Sequence, residues 1–82
     1  MTKREKLRAR ARNNPKDVTF EEVQTLLRQA GWTFDHQSGS HQIWYSPNPR
    51  RLPVQEGKNG KAKGYQVEQF LEALEEERNG ET

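Results

Sequence analysis

Residues 18–46 read VTFEEVQTLLRQAGWTFDHQSGSHQIWYS, and the spacing of the apolar side chains changes once along them. Phe20, Val23, Leu26, Leu27 and Ala30 recur at intervals of three, three, one and three residues, the stripe of a helix with 3.6 residues per turn. Thr19 and Glu22 have capping-box spacing at its start, and Val18 and Val23 occupy the N′ and N4 positions of a hydrophobic staple. Gly31 supplies a residue that enters the left-handed region without cost and ends the helix. A helix is therefore expected over 19–30. Beyond Gly31 the period is two. Trp32, Phe34 and His36 alternate with Thr33, Asp35 and Gln37, and Ser38-Gly39 makes a turn. From Ser40 to Ser46, His41, Ile43 and Tyr45 share one face while Gln42 and Trp44 take the other. A capped helix running into a β-hairpin is the centre of the fold.

The flanks complete it. Pro47, Asn48 and Pro49 form a turn, and Arg51 to Gln55 reads as a short third strand. Pro53 has no N–H to give a ladder, so that strand belongs at a sheet edge or bends. Glu56 to Gly64 is a glycine- and lysine-rich loop, expected to be exposed and flexible. Val67, Phe70, Leu71 and Leu74 then fall at i, i+3, i+4 and i+7, a second helical stripe backed by glutamates. Upstream, residues 3–12 are helix formers with Leu7 as the one large apolar side chain, and Asn13-Asn14-Pro15 breaks the pattern. The division expected is a basic N-terminal arm over 1–16, helical or disordered, a domain over 17–78 and a disordered tail over 79–82. Two helices on one face of a three-stranded antiparallel sheet, in the order α-β-β-β-α, make an α+β two-layer sandwich.

Composition narrows the functional classes. With 82 residues, 29% of them apolar, the core is small. The absence of cysteine removes disulfides, thiol catalysis and cysteine-ligated zinc. No run approaches a membrane span, and the reading is a cytoplasmic protein with no membrane partner. The net charge of +2 hides a segregation. Residues 1–16 set Lys3, Arg4, Lys6, Arg8, Arg10, Arg12 and Lys16 against Glu5, and residues 40–66 set Arg50, Arg51, Lys58, Lys61 and Lys63 against Glu56. The last sixteen residues are strongly acidic. Two basic stretches around a folded middle suit a polyanion, because Lys and Arg contacts to phosphate supply most non-specific nucleic-acid affinity. A solvated surface is the plainer account of the same charges.

The reactive groups are few. His36, His41 and Asp35 are the natural metal ligands around the hairpin, but Asp35 and His36 are consecutive on a strand and are expected on opposite faces, so neither a metal nor a cofactor is expected. Ser40 beside His41 lacks the nucleophile elbow of a hydrolase triad. His41 alone suits acid–base work, since an imidazole both takes and gives a proton at cellular pH. RNA carries its own nucleophile in the 2′-hydroxyl, so a histidine and a positive field are enough in outline. Arg50, Arg51, Lys58, Lys61 and Lys63 are the candidate phosphate-binding residues. The alternative for His41 is a half-buried strand residue with a hydrogen-bonded ring. Trp44 is read as exposed, stacking on a base or closing a protein interface, while Trp32 and Phe34 are read as core.

The helix Phe20-Glu21-Glu22-Val23…Leu26-Leu27-Arg28-Gln29-Ala30-Gly31-Trp32, followed by Gly39-Ser40-His41-Gln42-Ile43-Trp44, resembles the HicA-type toxins of bacterial toxin–antitoxin systems. The basic turn, the strand with Pro53, the lysine-rich loop and the closing helix extend the resemblance over Val18 to Leu74. It implies a double-stranded-RNA-binding-domain-like fold and the activity of an mRNA interferase, with the Gly-Ser-His histidine, here His41, as the catalytic residue. It also implies mRNA as substrate and a HicB-like antitoxin that covers the site; any self-association is expected to be weak. Two positions depart. Ser38 stands where the family often has a basic residue before the triplet, and Leu52-Pro53-Val54-Gln55-Glu56 replaces a proline–basic–histidine stretch. Both lower the positive charge beside the scissile phosphate, which keeps open a non-catalytic RNA-binding module of the same fold, or an interaction protein that docks through Trp44 and the acidic helix.

Overall fold

The computed structural model describes residues 3–47 and 50–80. Asn48 and Pro49 of the expected turn, and residues 81 and 82 of the expected tail, lie outside the described residues. The elements run α1 (Lys3–Asn13), a 3₁₀ turn (Pro15–Asp17), α2 (Phe20–Gln29), β1 (Thr33–Ser38), β2 (His41–Tyr45), β3 (Arg51–Gln55), a second 3₁₀ turn (Lys58–Gly60) and α3 (Gly64–Gly80). The α+β order read from the sequence is present, with a helix added in front.

Local chemistry accounts for α2. Thr19 Oγ1 accepts from the Glu22 N–H at 3.1 Å and Glu22 Oε1 accepts from the Thr19 N–H at 3.0 Å, so the capping box closes on both sides. Val18 and Val23 are both fully buried. Gly31 ends the helix at φ 85°, and a Cβ added there would come within 3.3 Å of the Pro47 ring. The remaining Glu22 oxygen forms an ion pair with Arg10 of α1. One side chain thus caps α2 and ties the basic helix to it. Ala11 of α1 is fully buried in the common core, with Leu7 packed against it.

The sheet order is β1-β2-β3, antiparallel throughout. Directly paired residues share a face. Phe34, Trp44 and Leu52 form one row towards the helices, and Gln37, Gln42 and Val54 the next. Trp44, Leu52 and Val54 pack there with Val23, Leu26 and Leu27 of α2 and Val67, Phe70 and Leu71 of α3. Pro53 lies on an edge strand, as its missing donor requires.

Two readings of the aromatics are overturned. Trp44 is 2% exposed, edge-to-face with Phe34 at 5.6 Å, and the Arg28 guanidinium sits 5.7 Å from its ring centroid. It is a core residue and offers no surface to a base or a partner. Phe34 is instead 44% exposed, because β1 is an edge strand with every residue exposed. Trp32 fills the core as expected, against Phe70. The Glu56–Gly64 segment is also more ordered than a free loop. Bridges join Thr19 to Lys61 and Glu56 to Ala62, and Ala62 is buried.

Candidate functional site

His41 opens β2 directly after a two-residue turn. Ser38 and His41 pair, leaving Gly39-Ser40 between the strands. Gly39 is at φ 61° and Ser40 is not in the left-handed region, the pattern of a type II′ hairpin turn with glycine at its first central position. The turn is pinned across the sheet by Gln55, whose Nε2 donates to Ser40 Oγ at 2.9 Å. The Gln55 N–H in turn donates to Oε1 of the buried Gln66 of α3 at 2.8 Å. A chain of hydrogen bonds therefore runs from α3 through β3 to the residue beside His41.

The face that carries His41 is the one turned away from the helices. Its rows are Ser38, His41 and Gln55; His36, Ile43 and Pro53; and Thr33, Tyr45 and Arg51. Ile43 is 1% exposed yet lies outside the main core cluster. It forms a small apolar centre on this face, with His41 and Tyr45 flanking it along β2 and His36 and Pro53 across from it.

His36 reaches this face through an irregularity. The register slips between Phe34 and His36, leaving Asp35 as an extra residue opposite β2. Such a bulge resets the alternation. Phe34 faces the helices, while His36 faces the open side with His41 rather than sharing a face with Phe34. The expectation that Asp35 and His36 diverge fails for the same reason. Asp35 Oδ2 lies 2.6 Å from His36 Nδ1, both side chains being about half exposed. Among the described residues, no group of three His, Cys, Asp or Glu side chains is placed to hold a metal ion. Sequence reasoning missed the Asp35–His36 pair; the one available signal was an aspartate inside an otherwise alternating strand.

The candidate cations divide into two groups by position. Arg50 and Arg51 stand at the end of β3 away from His41, since Arg51 pairs with Tyr45 and His41 with Gln55. Four residue steps along the strand separate the two ends, about 13 Å. Lys58, Lys61 and Lys63 follow the other end of β3, the end that meets His41. They also differ in engagement. Arg50 is held by Glu76 of α3 and Lys61 by Asp17. Lys61 lowers the Asp17 pKa through the hydrogen bond and its charge. Arg51, Lys58 and Lys63 make no ion pair among the described residues. A shallow cleft lined by Phe20, Gln37, Ser40, Gln42, Glu56 and Gly57 lies beside the hairpin turn.

The arrangement is a half-buried imidazole beside a hydrogen-bonded turn, a second imidazole on the same face and lysines at the adjoining end. The family model described as the HicA toxin of bacterial toxin–antitoxin systems matches residues 20–75, more than half of the chain. The chain belongs to the HicA toxin family. The HicA match takes in α2, the whole sheet, the Gly39-Ser40-His41 turn, the lysine segment and most of α3, and leaves α1 outside. Neither the curated proteins nor the solved structures give a match. No described helix is long and apolar enough to cross a membrane.

Proposed function

We propose that this HicA toxin cleaves mRNA by metal-independent acid–base catalysis at the phosphodiester, with His41 moving the proton of the 2′-hydroxyl. The observation that carries the reading is the position of His41. It heads a strand on the open face of the sheet, in a turn fixed by Gly39 and by the Gln66–Gln55–Ser40 hydrogen bonds. A polymer needs such an open site, and a proton-transfer group gains from being held in one place. Arg50, Arg51, Lys58, Lys61 and Lys63 bind phosphate. Lys58 and Lys63 contribute most, because they lie at the His41 end and carry no competing carboxylate. The partner that neutralises the toxin is a HicB-like antitoxin covering this face, so RNA and antitoxin compete for it.

A second reading, an RNA-binding module that no longer cleaves, is favoured by one observation. The residue paired with His41 on β3 is Gln55, followed by Glu56, where a cation would serve catalysis better. Purified protein incubated with single-stranded RNA in the presence of a chelator separates the two. The catalytic reading predicts cleavage that His41→Ala abolishes with RNA affinity nearly unchanged. Tight binding without cleavage would leave the binding module standing.

A further inference from the structure

We infer that His36, held by Asp35, is the second catalytic residue of the site and protonates the 5′-oxygen leaving group. The assignment rests on the ribonuclease reading of His41. Transesterification by a 2′-hydroxyl needs two proton transfers, one from the attacking oxygen and one to the departing oxygen. These oxygens lie roughly in line on opposite sides of phosphorus. The acid and the base must therefore stand on one surface but farther apart than a hydrogen bond.

His36 and His41 meet that requirement. Their strand partners are Ile43 and Ser38, so the two histidines are diagonal neighbours on the open face of β1 and β2. Such positions are about 7–8 Å apart between backbones, within reach of long side chains. The bulge at Asp35 is what places His36 there; an unbroken alternation puts it with Phe34, towards the helices. Asp35 then completes the arrangement. A carboxylate only accepts, so the 2.6 Å contact assigns the proton to His36 Nδ1 and leaves Nε2 as the atom that exchanges with substrate. The carboxylate faces the Nδ1–H in either form of the ring, and the proton that is given away is the one on Nε2.

The step balances. Neutral His41 takes the 2′-O–H proton as that oxygen bonds to phosphorus. The P–O5′ bond breaks, and the electron pair on O5′ takes the proton from His36 Nε2. The products are a 2′,3′-cyclic phosphate and a 5′-hydroxyl, and exchange with water returns both rings to their starting states. No oxidant or metal enters.

The test compares two substrates. On RNA, His36→Ala should lose about 10²–10⁴-fold in rate, the usual worth of a general acid. On uridine 3′-(4-nitrophenyl phosphate), whose leaving group departs without a proton, His36→Ala should stay within a few-fold of the unmutated protein while His41→Ala loses activity on both. Asp35→Asn should fall between the unmutated protein and His36→Ala on RNA and stay within a few-fold of the unmutated protein on the nitrophenyl ester. Equal losses on both substrates, or unchanged RNA cleavage in His36→Ala, would overturn the assignment while leaving His41 in place. No RNA cleavage by the unmutated chain would instead overturn the ribonuclease reading, and this assignment with it.

Discussion

At the scale of single residues, the five candidate cations are not equivalent, although the sequence presents them alike. Arg50 and Lys61 already face Glu76 and Asp17, whereas Lys58 and Lys63 have no such partner among the described residues. Removing a cation that neutralises one phosphate should lower the salt slope of single-strand binding by about 0.7. Lys58→Gln and Lys63→Gln are expected to show this in titrations of RNA affinity against salt, and Arg50→Gln and Lys61→Gln to show distinctly less. Equal effects at all four positions would contradict the division. The Asp17–Lys61 pair also sets a pH dependence. Because the Asp17 pKa is lowered in the folded chain, its contribution is present above the ordinary aspartate value near 3.9 and is lost as pH falls through the lower folded value. The pair is exposed, so the effect is small. Asp17→Asn should lower stability slightly near neutral pH and progressively less as pH falls below the ordinary aspartate value, as followed by denaturant unfolding along that range.

At the scale of elements, two local devices hold the site. Thr19→Ala removes one half of the capping box and should cost about 1 kcal/mol in denaturant unfolding. Gly39→Ala meets no neighbouring atom, so any loss reports the left-handed backbone alone and should be about 1–2 kcal/mol. A neutral Gly39→Ala would mean the hairpin turn is not what fixes His41. The cap was legible in the sequence because it is written in residues three apart, whereas the turn was expected at Ser38-Gly39 and stands one residue later, at Gly39-Ser40, because Ser38 still pairs with His41. The cap, the Gly31 stop, the bounds of β3 and the edge role of Pro53 all follow from local rules. The two faces of the sheet did not. Alternation correctly set Trp44 opposite Ile43, but nothing local says which face the helices cover, and both residues are buried. The bulge at Asp35 was equally hidden, because it is a relation between two strands. That slip decides where His36 stands, so its place on the face of His41 lay outside any reading of one strand at a time.

At the scale of the molecule, the basic N-terminal segment is part of the packed body. Its helix buries Ala11 and is joined to α2 by Arg10 and Glu22. Ala11→Leu should therefore overpack the core by about 1–3 kcal/mol, while Ala9→Leu on the exposed side should cost almost nothing. A thermal unfolding comparison reads the difference directly, and equal behaviour would mean that α1 does not dock. The segment packs against α2 and α3, on the helix side of the sheet, while His36, His41 and Arg51 stand on the opposite face. Whether this HicA chain acts on RNA through His41 is read from induced expression in bacteria of the unmutated protein beside His41→Ala. Growth arrest with loss of mRNA integrity, relieved by the single substitution, is the predicted result. Equal growth with intact mRNA, at matched soluble levels of both proteins, would contradict it.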